Sequence, residues 1–472
     1  MSVLRPVAYL AAALLLGRLL GLVREMLLAR RVGVGAEADA AILVMTLPET
    51  LVAIALAGGF GAALVPALRR LPDEARRRLF AQVATLCTGV GLGGAVIIAI
   101  MPMQVIGLLA PALSPELRAL YAPALASVGL AVPLGALAGA LGAWCNVHER
   151  FFVVGFGTVV YNLVICALLL GLATGASVVW PLALATVLAS LTRVSLLMVV
   201  ARAPLRPRLR PVEGGDRRLL RLFVAGVSAA GIGVAAQLLF RTVAAADAPG
   251  ELAAFSYALK LFLLPVVILF GPVATVLLPR FTDRPEDDAL AADGYAVVGI
   301  LALAALAVGQ ISGDAIAALL FGGGAMDAAG LARLETYARL MTLALPFAAV
   351  ELVAAARLNA AGRTDRVLAN ALGALGMGTL AAALWGAMVG FLCFYGVLAL
   401  LHLVALPPAW GAVVRRIGPM RGALVLVLVT IGALVDRTAL PEDAVWLRVA
   451  WGGALGAGIL LPWAGLLRRF GR

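Results

Sequence analysis

The sequence predicts an all-α, polytopic membrane protein with about 14 transmembrane helices, arranged as two six-helix lobes related by a pseudo-two-fold axis and followed by a C-terminal helix pair. Three observations lead there. Of 472 residues, 63% are hydrophobic and 13% charged, with a mean hydropathy of +1.05, which leaves too little polar surface to coat a water-soluble core. Apolar windows long enough to cross a bilayer recur along the chain, separated by charged or Gly/Pro-rich breaks. Short motifs of the first half also return in the second at one constant offset.

In order, the first six windows fall near 7–32, 38–66, 79–109, 118–145, 151–174 and 177–201 and end in a basic loop at 202–221. Six more lie near 222–246, 252–279, 290–322, 335–358, 367–389 and 391–413, and a final pair near 420–436 and 444–467. The expected divisions are an N-lobe over 1–202, a C-lobe over 217–416 and the terminal helices over 417–472. An N-terminus in the cytoplasm makes every even-numbered connection cytoplasmic, and those are the basic ones. Arg69, Arg70, Arg76, Arg77 and Arg78 follow window two, and Arg202, Arg206, Arg208, Arg210, Arg217, Arg218 and Arg221 follow window six. Arg415, Arg416 and Arg421 follow window twelve, and Arg468, Arg469 and Arg472 close the tail. The other side carries Asp247, Glu251, Asp314 and Asp327, with Arg30 and Arg31 as its basic exception. Both termini are expected in the cytoplasm of a bacterium, with the chain multi-pass in the inner membrane.

The repeat rests on CNVHERFF and LNAAGRTD, where Asn146 and Arg150 stand 213 residues before Asn359 and Arg363, and on Pro66 and Pro279 at the same offset. An even number of helices per repeat gives both halves one orientation, with the relating axis along the membrane normal.

Composition also excludes functions. The net charge of +12 comes from arginines at the ends of apolar windows, where they set topology, so nucleic acid is not an expected partner. The four cysteines, Cys87, Cys145, Cys166 and Cys393, have no ligand spacing and read as small buried hydrophobes. With His148 and His402 the only histidines, no metal site is expected. The run after Arg5 is interrupted by Arg18, which reads as a retained span and not a cleaved leader. No nucleophile elbow, Walker loop or catalytic carboxylate pair is present, so neither an enzyme nor a cofactor is expected.

Gly17 to Asp39 carries what the composition does not explain. Arg18, Arg24 and Glu25 interrupt an apolar run, and a charge at a span's centre costs roughly 2.5–3.5 kcal/mol on insertion scales. Such groups face a bundle interior or a watery cavity. Arg18 and Glu25 share one stripe with Gly21, whereas Arg24 lies about 120° round the helix from Arg18. A bend at Gly17 and Gly21 is expected to bring both guanidinium groups to one chamber, the alternatives being snorkelling or an Arg18–Glu25 ion pair. Arg193, Arg241 and Lys260, the single lysine of the chain, add cations at membrane depth. Such clusters bind anionic head groups, because guanidinium forks match phosphate oxygens.

The segments GRLLGLVRE, ARRVGVGAEADA, TLPETL and GGFGAALVPAL are similar to the N-terminal signature of the MurJ (MviN) lipid II flippases. The resemblance implies two six-helix lobes and a C-terminal pair that lines a groove for a lipid tail. It implies a flippase that moves an undecaprenyl-pyrophosphate-linked peptidoglycan precursor, lipid II, from the inner to the outer leaflet by alternating access. Arg18, Arg24 and Lys260 would bind the pyrophosphate, with Asn162 of TVVYNLVI as a further match, while Glu25, Asp39, Glu49 and Arg241 would balance charge or gate. Membrane lipids and cell-wall synthesis enzymes are the other implied partners, and the chain is expected to be a monomer. Departures lie on the second helix, where Glu49, Val52 and Ala57 replace the family's Asn, basic and acidic groups. Arg241 occupies the helix-seven position of an Asp that binds sodium in some members, so its guanidinium stands where a cation would. Alternatives are a flippase for another polyprenyl-linked glycan (exopolysaccharide or O-antigen unit), a multidrug exporter, or a scaffold that recruits cell-wall enzymes.

Overall fold

In the computed structural model, residues 4–59, 64–173, 175–204, 207–208, 217–284, 287–438, 440–441 and 443–470 are described, and among them there are helices and turns but no strand. The first half runs α1 (Leu4–Val32), α2 (Ala36–Gly59), α3 (Val65–Arg70), α4 (Asp73–Ile100), α5 (Pro102–Leu109), α6 (Pro115–Val128), α7 (Ala131–Val147), α8 (Phe151–Gly171) and α9 (Val179–Ala201). The second half runs α10 (Arg217–Ala244), α11 (Glu251–Pro265), a π-helical turn (Val266–Phe270), α12 (Gly271–Asp283), α13 (Asp288–Phe321), α14 (Ala328–Thr342), α15 (Leu345–Ala360), α16 (Thr364–Trp385) and α17 (Ala387–Ala405). It is followed by α18 (Trp410–Ile417), α19 (Pro419–Thr438), α20 (Val445–Leu460) and α21 (Ala464–Phe470).

Every apolar window of the sequence is thus met by a helix or a broken helix. Among the described residues nine helices are long and apolar enough to cross a membrane, or ten if the bent pair α14–α15 is one span. That is fewer than the 14 expected, and α1 and α2, which carry Arg18, Arg24, Glu25, Asp39 and Glu49, are not in the count. Arg206, Arg210, Arg472 and the Phe60–Ala63 part of the GGFG motif lie outside the described residues.

The internal repeat shows in the element boundaries. α1, α6 and α8 begin 213 residues before α10, α14 and α16. Windows four and ten break alike, at Gly129–Leu130 and Leu343–Ala344, just before Pro133 and Pro346. A proline ring lacks the N–H for the i−4 carbonyl and clashes with it, so the helix yields there. Arg150 and Arg363 do one job twice. Each backbone N–H closes the turn after the preceding helix, onto Cys145 and Leu358, and each guanidinium donates to a last-turn carbonyl of the next-but-one helix, Val200 and Ala405.

By contacts the chain divides into two compact units, Met1–Ala253 with Gly324–Met326, and Ala254–Gly323 with Asp327–Arg472. The division falls one helix later than the expected lobe boundary, because α10 packs along α2. Within the first unit, Ala325 donates to the Arg30 carbonyl (2.9 Å), and Gly324, at φ +66°, lies where a Cβ would strike that carbonyl. In the second unit α19 and α20 pack on α13 through Ile300, Ile311, Leu455, Ile459 and Trp463. Arg448 fastens them, with both carboxylate oxygens of Asp436 at 2.8–3.0 Å and Asp314 at 2.9 Å. Cys87, Cys145 and Cys166 are buried as expected, and Cys393 is half-buried.

Close helix packing depends on particular glycines. A Cβ on Gly91 of α4 would lie 2.8 Å from the Pro133 backbone of α7, whereas one on Gly89 would meet nothing within 4 Å. Gly91→Ala is therefore expected to lower stability by about 1–3 kcal/mol, read by thermal unfolding in detergent, with Gly89→Ala close to wild type.

Candidate functional site

The charges that interrupt the first windows gather inside the first unit, where α1 packs on α8 and α2 on α10. Arg24 and Glu25 of α1 are both fully buried. Arg24 Nη2 lies 3.4 Å from Glu25 Oε1, and its Nη1 lies 3.4 Å from Oε1 of Glu49 on α2. Its guanidinium also stands 6.0 Å from the centre of the Tyr161 ring of α8. Two further arginines join the cluster. Glu49 attracts Arg24, Arg193 of α9 and Arg241 of α10, and Glu25 attracts Arg24 and Arg241. Among the described residues, three guanidinium groups thus face two carboxylates.

Arg193 and Arg241 carry the anomaly. Arg241 is 92% buried, and among the described residues neither guanidinium has a hydrogen-bond or ion-pair partner, with both Nε atoms sealed from solvent. A buried ion left without hydrogen bonds costs several kcal/mol, so an arrangement that keeps two of them is suited to a charged ligand that supplies the acceptors. Beside Arg193 there is room for one. A cavity of about 360 Å³ is lined by Glu49, Val52, Thr158, Tyr161, Ser190 and Arg193.

The residues expected from sequence do not all meet. Arg18 is exposed and stands apart from the buried cluster, and Glu25 pairs with Arg24, not with Arg18. α1 runs unbroken through Gly17 and Gly21, so these glycines do not break the helix to gather the arginines. They seat α8 instead. A Cβ on Gly17 would lie 3.2 Å from Thr158, and the Gly17 carbonyl accepts from Asn162 Nδ2 at 3.0 Å. Asn162 thereby ties α8 to α1, donating also to the Thr158 carbonyl. Asp39 caps a helix, its two carboxylate oxygens accepting from the Gly250 (2.6 Å) and Ala253 (2.8 Å) amides. Lys260 lies half-buried on α11 of the second unit. Tyr161 went unnoticed in the sequence, and Arg193 was one cation among several. The signal for Arg193 is the one that marks Arg24, an arginine in the middle of an apolar window.

The second unit holds an apolar cavity of about 420 Å³, lined by Leu264, Ile268, Val308, Gly309, Gly453 and Gly456, so α20 helps to form it.

Against known proteins, the family model described as "Lipid II flippase MurJ" matches residues 28–419. The chain belongs to the MurJ lipid II flippase family. A "Probable lipid II flippase MurJ" of Rhizobium meliloti (strain 1021) is 27% identical over 309 residues, 59% of this chain and 55% of that protein. One of Synechocystis sp. is 32% identical over 150 residues, 31% of this chain and 26% of that protein. The chain thus spans about half or less of the curated relatives that it matches. Among solved structures, "Lipid II flippase MurJ, inward closed conformation" superposes with a TM-score of 0.81 at 16% identity, over 97% of this chain and 99% of that one. An inward-facing multidrug resistance MATE transporter of the MOP superfamily gives 0.64 at 16% identity, over 82% and 93%. At such identities the likeness is one of fold, and it agrees with an all-helical chain carrying several helices long and apolar enough to cross a membrane.

Removing Arg24 takes from the buried Glu25 its ion pair with that guanidinium. Arg24→Ala is expected to cost about 3–5 kcal/mol in thermal unfolding. Asp39→Ala, which deletes a cap, is expected to cost roughly 1–2 kcal/mol, with Asp39→Asn between it and wild type.

Proposed function

We propose that this protein flips an undecaprenyl-pyrophosphate-linked peptidoglycan precursor, lipid II, from the inner to the outer leaflet by alternating access. The observation that carries the reading is the pair Arg193 and Arg241, half-buried and buried, whose sealed Nε atoms have no acceptor among the described residues, with Arg193 on the wall of a cavity that Glu49, Tyr161 and Ser190 also line. A diphosphate supplies several anionic oxygens, which suits a cluster of three guanidinium groups. Arg24, Arg193 and Arg241 hold the head group, and Glu49, shared by all three, competes with it for them. Arg18 is assigned to the same head group on the family resemblance. The apolar cavity formed with α20 suits the polyprenyl tail.

The energetics favour the outward direction. Moving roughly two negative charges across an inside-negative potential of about 100 mV releases about 5 kcal/mol, at about 2.3 kcal/mol per charge, without ATP. An empty cationic site is drawn back the other way, so the potential drives both halves of the cycle.

A second reading, a flippase for another polyprenyl-linked glycan, is favoured by Val52, an apolar residue on the cavity wall where the family carries a basic one. Depleting the protein in its host distinguishes the two. Build-up of lipid II on the cytoplasmic leaflet supports the first, and build-up of a different lipid-linked glycan supports the second.

In proteoliposomes, Arg193→Gln/Arg241→Gln is expected to slow lipid II flipping by about tenfold or more, equivalent to about 1.4 kcal/mol of lost interaction, while the protein still inserts and elutes as wild type. Dissipating the electrical potential with valinomycin and potassium, with the proton gradient intact, is expected to stop flipping. Undiminished transport would contradict a potential-driven cycle.

A further inference from the structure

The second unit contains a buried ionisable pair that anion binding does not use. His402 of α17 is 1% exposed, and neither of its ring nitrogens makes a hydrogen bond. Its Nδ1 lies 3.9 Å from Oε1 of Glu351 on α15, inside ion-pair range but beyond hydrogen-bond length. The imidazole is sealed from solvent and the Glu351 side chain is only 18% exposed, so a charge on either pays most of its desolvation cost.

The internal repeat shows that the fold does not require the pair. Arg150 and Arg363 donate to Val200 and Ala405, which puts His402 in register with Leu197, and the 213-residue offset puts Glu351 in register with Ala138. Leu197 and Ala138 are both buried members of the apolar core of the first unit. The same position is therefore packed by hydrocarbon in one repeat and by two titratable groups in the other.

We propose that Glu351 and His402 form a proton-binding site in which one proton is held between carboxylate and imidazole. With that proton the pair is neutral overall, as its burial demands. When the proton leaves to water, a lone carboxylate remains between α15 and α17, and their packing weakens. Proton occupancy thus controls how tightly these two helices close.

The other charged groups nearby are accounted for. On α15, Arg357 is held by Asp288 (2.9 Å) and the Pro407 carbonyl. On α16, Asp365 and Arg366 are exposed, the Val367 carbonyl lies by the ring, and Asn370, one turn on, keeps a buried Nδ2 without an acceptor. α14 carries Arg333, Glu335, Tyr337 and Arg339, and α17 itself adds Cys393 and Tyr395. Of the helices packed on α15, α12 brings exposed Arg280 and Asp283, and α13 brings Tyr295 with Asp288, Asp293 and Asp314, which pair with Arg357, Arg416 and Arg448.

The chain has two histidines, so His148→Gln leaves His402 as the sole imidazole. In the full-length variant labelled with ¹⁵N-histidine, the His402 resonances are expected to titrate between about pH 5 and pH 9. Adding Glu351→Gln is expected to move the midpoint by about one pH unit or more. His402 resonances that stay fixed over that range, or that titrate identically with Glu351→Gln, would overturn the proposal. Thermal unfolding gives a second reading. Wild-type stability is expected to fall as pH rises through the midpoint, and Glu351→Ala/His402→Leu, which copies the first repeat, is expected to lose that fall. Retention of the full pH dependence by the double variant would equally overturn it. Neither measurement involves substrate, so both are independent of the transport reading.

Discussion

The constraint on which the first unit depends is the cost of holding guanidinium groups among helices long and apolar enough to span a membrane. Arg24 meets it by pairing with Glu25 and Glu49. Arg193 and Arg241 do not meet it with hydrogen bonds of their own, although Glu49 attracts both. An arginine cannot shed its proton to escape the cost, as a lysine or carboxylate can. Among the described residues the unit therefore keeps Nε atoms without acceptors, and on the proposed reading a phosphate-bearing ligand would supply them, whereas an apolar or cationic one would not. This electrostatic sign separates the reading from export of cationic drugs, even though the fold is similar to that of a multidrug resistance MATE transporter.

Around that cluster the structural residues act by proximity and not by charge. Gly17 lets α8 come close enough for Asn162 to bond the backbone of α1, and α8 then carries Tyr161 to Arg24. Asp39 spends its charge on two backbone amides and so fixes the start of α11 to the head of α2. The repeat shows how much of the chain is framework. Arg150 and Arg363 close equivalent turns, whereas Glu351 and His402 replace an apolar pair in one half only. Where the halves agree the residues build helices, and where they differ in charge they are candidates for chemistry.

Much of this was legible in the sequence. Hydropathy located the long helices, because a bilayer-spanning segment must satisfy its backbone internally and therefore reads as a long apolar run, whereas the short α3 and α18 run past the ends of the windows. Three matched pairs, Asn146/Asn359, Arg150/Arg363 and Pro66/Pro279, define the repeat offset. The breaks at Gly129 and Leu343 were not read, although Pro133 and Pro346 announce them at the same offset. Within the cluster, the departure from the family's second helix marks Glu49, and charge in an apolar window marks Arg24, Glu25 and Arg241. Arg18 was conspicuous for the same reason, yet it is exposed, since helix angle alone does not say which face a neighbour covers. Asn162 and Asp39 stand out as matches to the family's motifs, but their hydrogen-bond partners lie 145 and more than 200 residues away, a distance that no local pattern encodes. Tyr161 and the cavity beside Arg193 depend on the packing of α2, α8 and α9, which only coordinates provide.

The most direct measurement of the central claim is binding of a short-chain polyprenyl pyrophosphate to the purified protein, by native mass spectrometry or thermophoresis, against the corresponding monophosphate and uncharged alcohol. Unmet acceptor demand in the first unit predicts the order pyrophosphate, monophosphate, alcohol, with the advantage of the pyrophosphate removed when Arg193 and Arg241 are both glutamine. Equal affinity for all three lipids, or a preference that survives loss of both arginines, would contradict it.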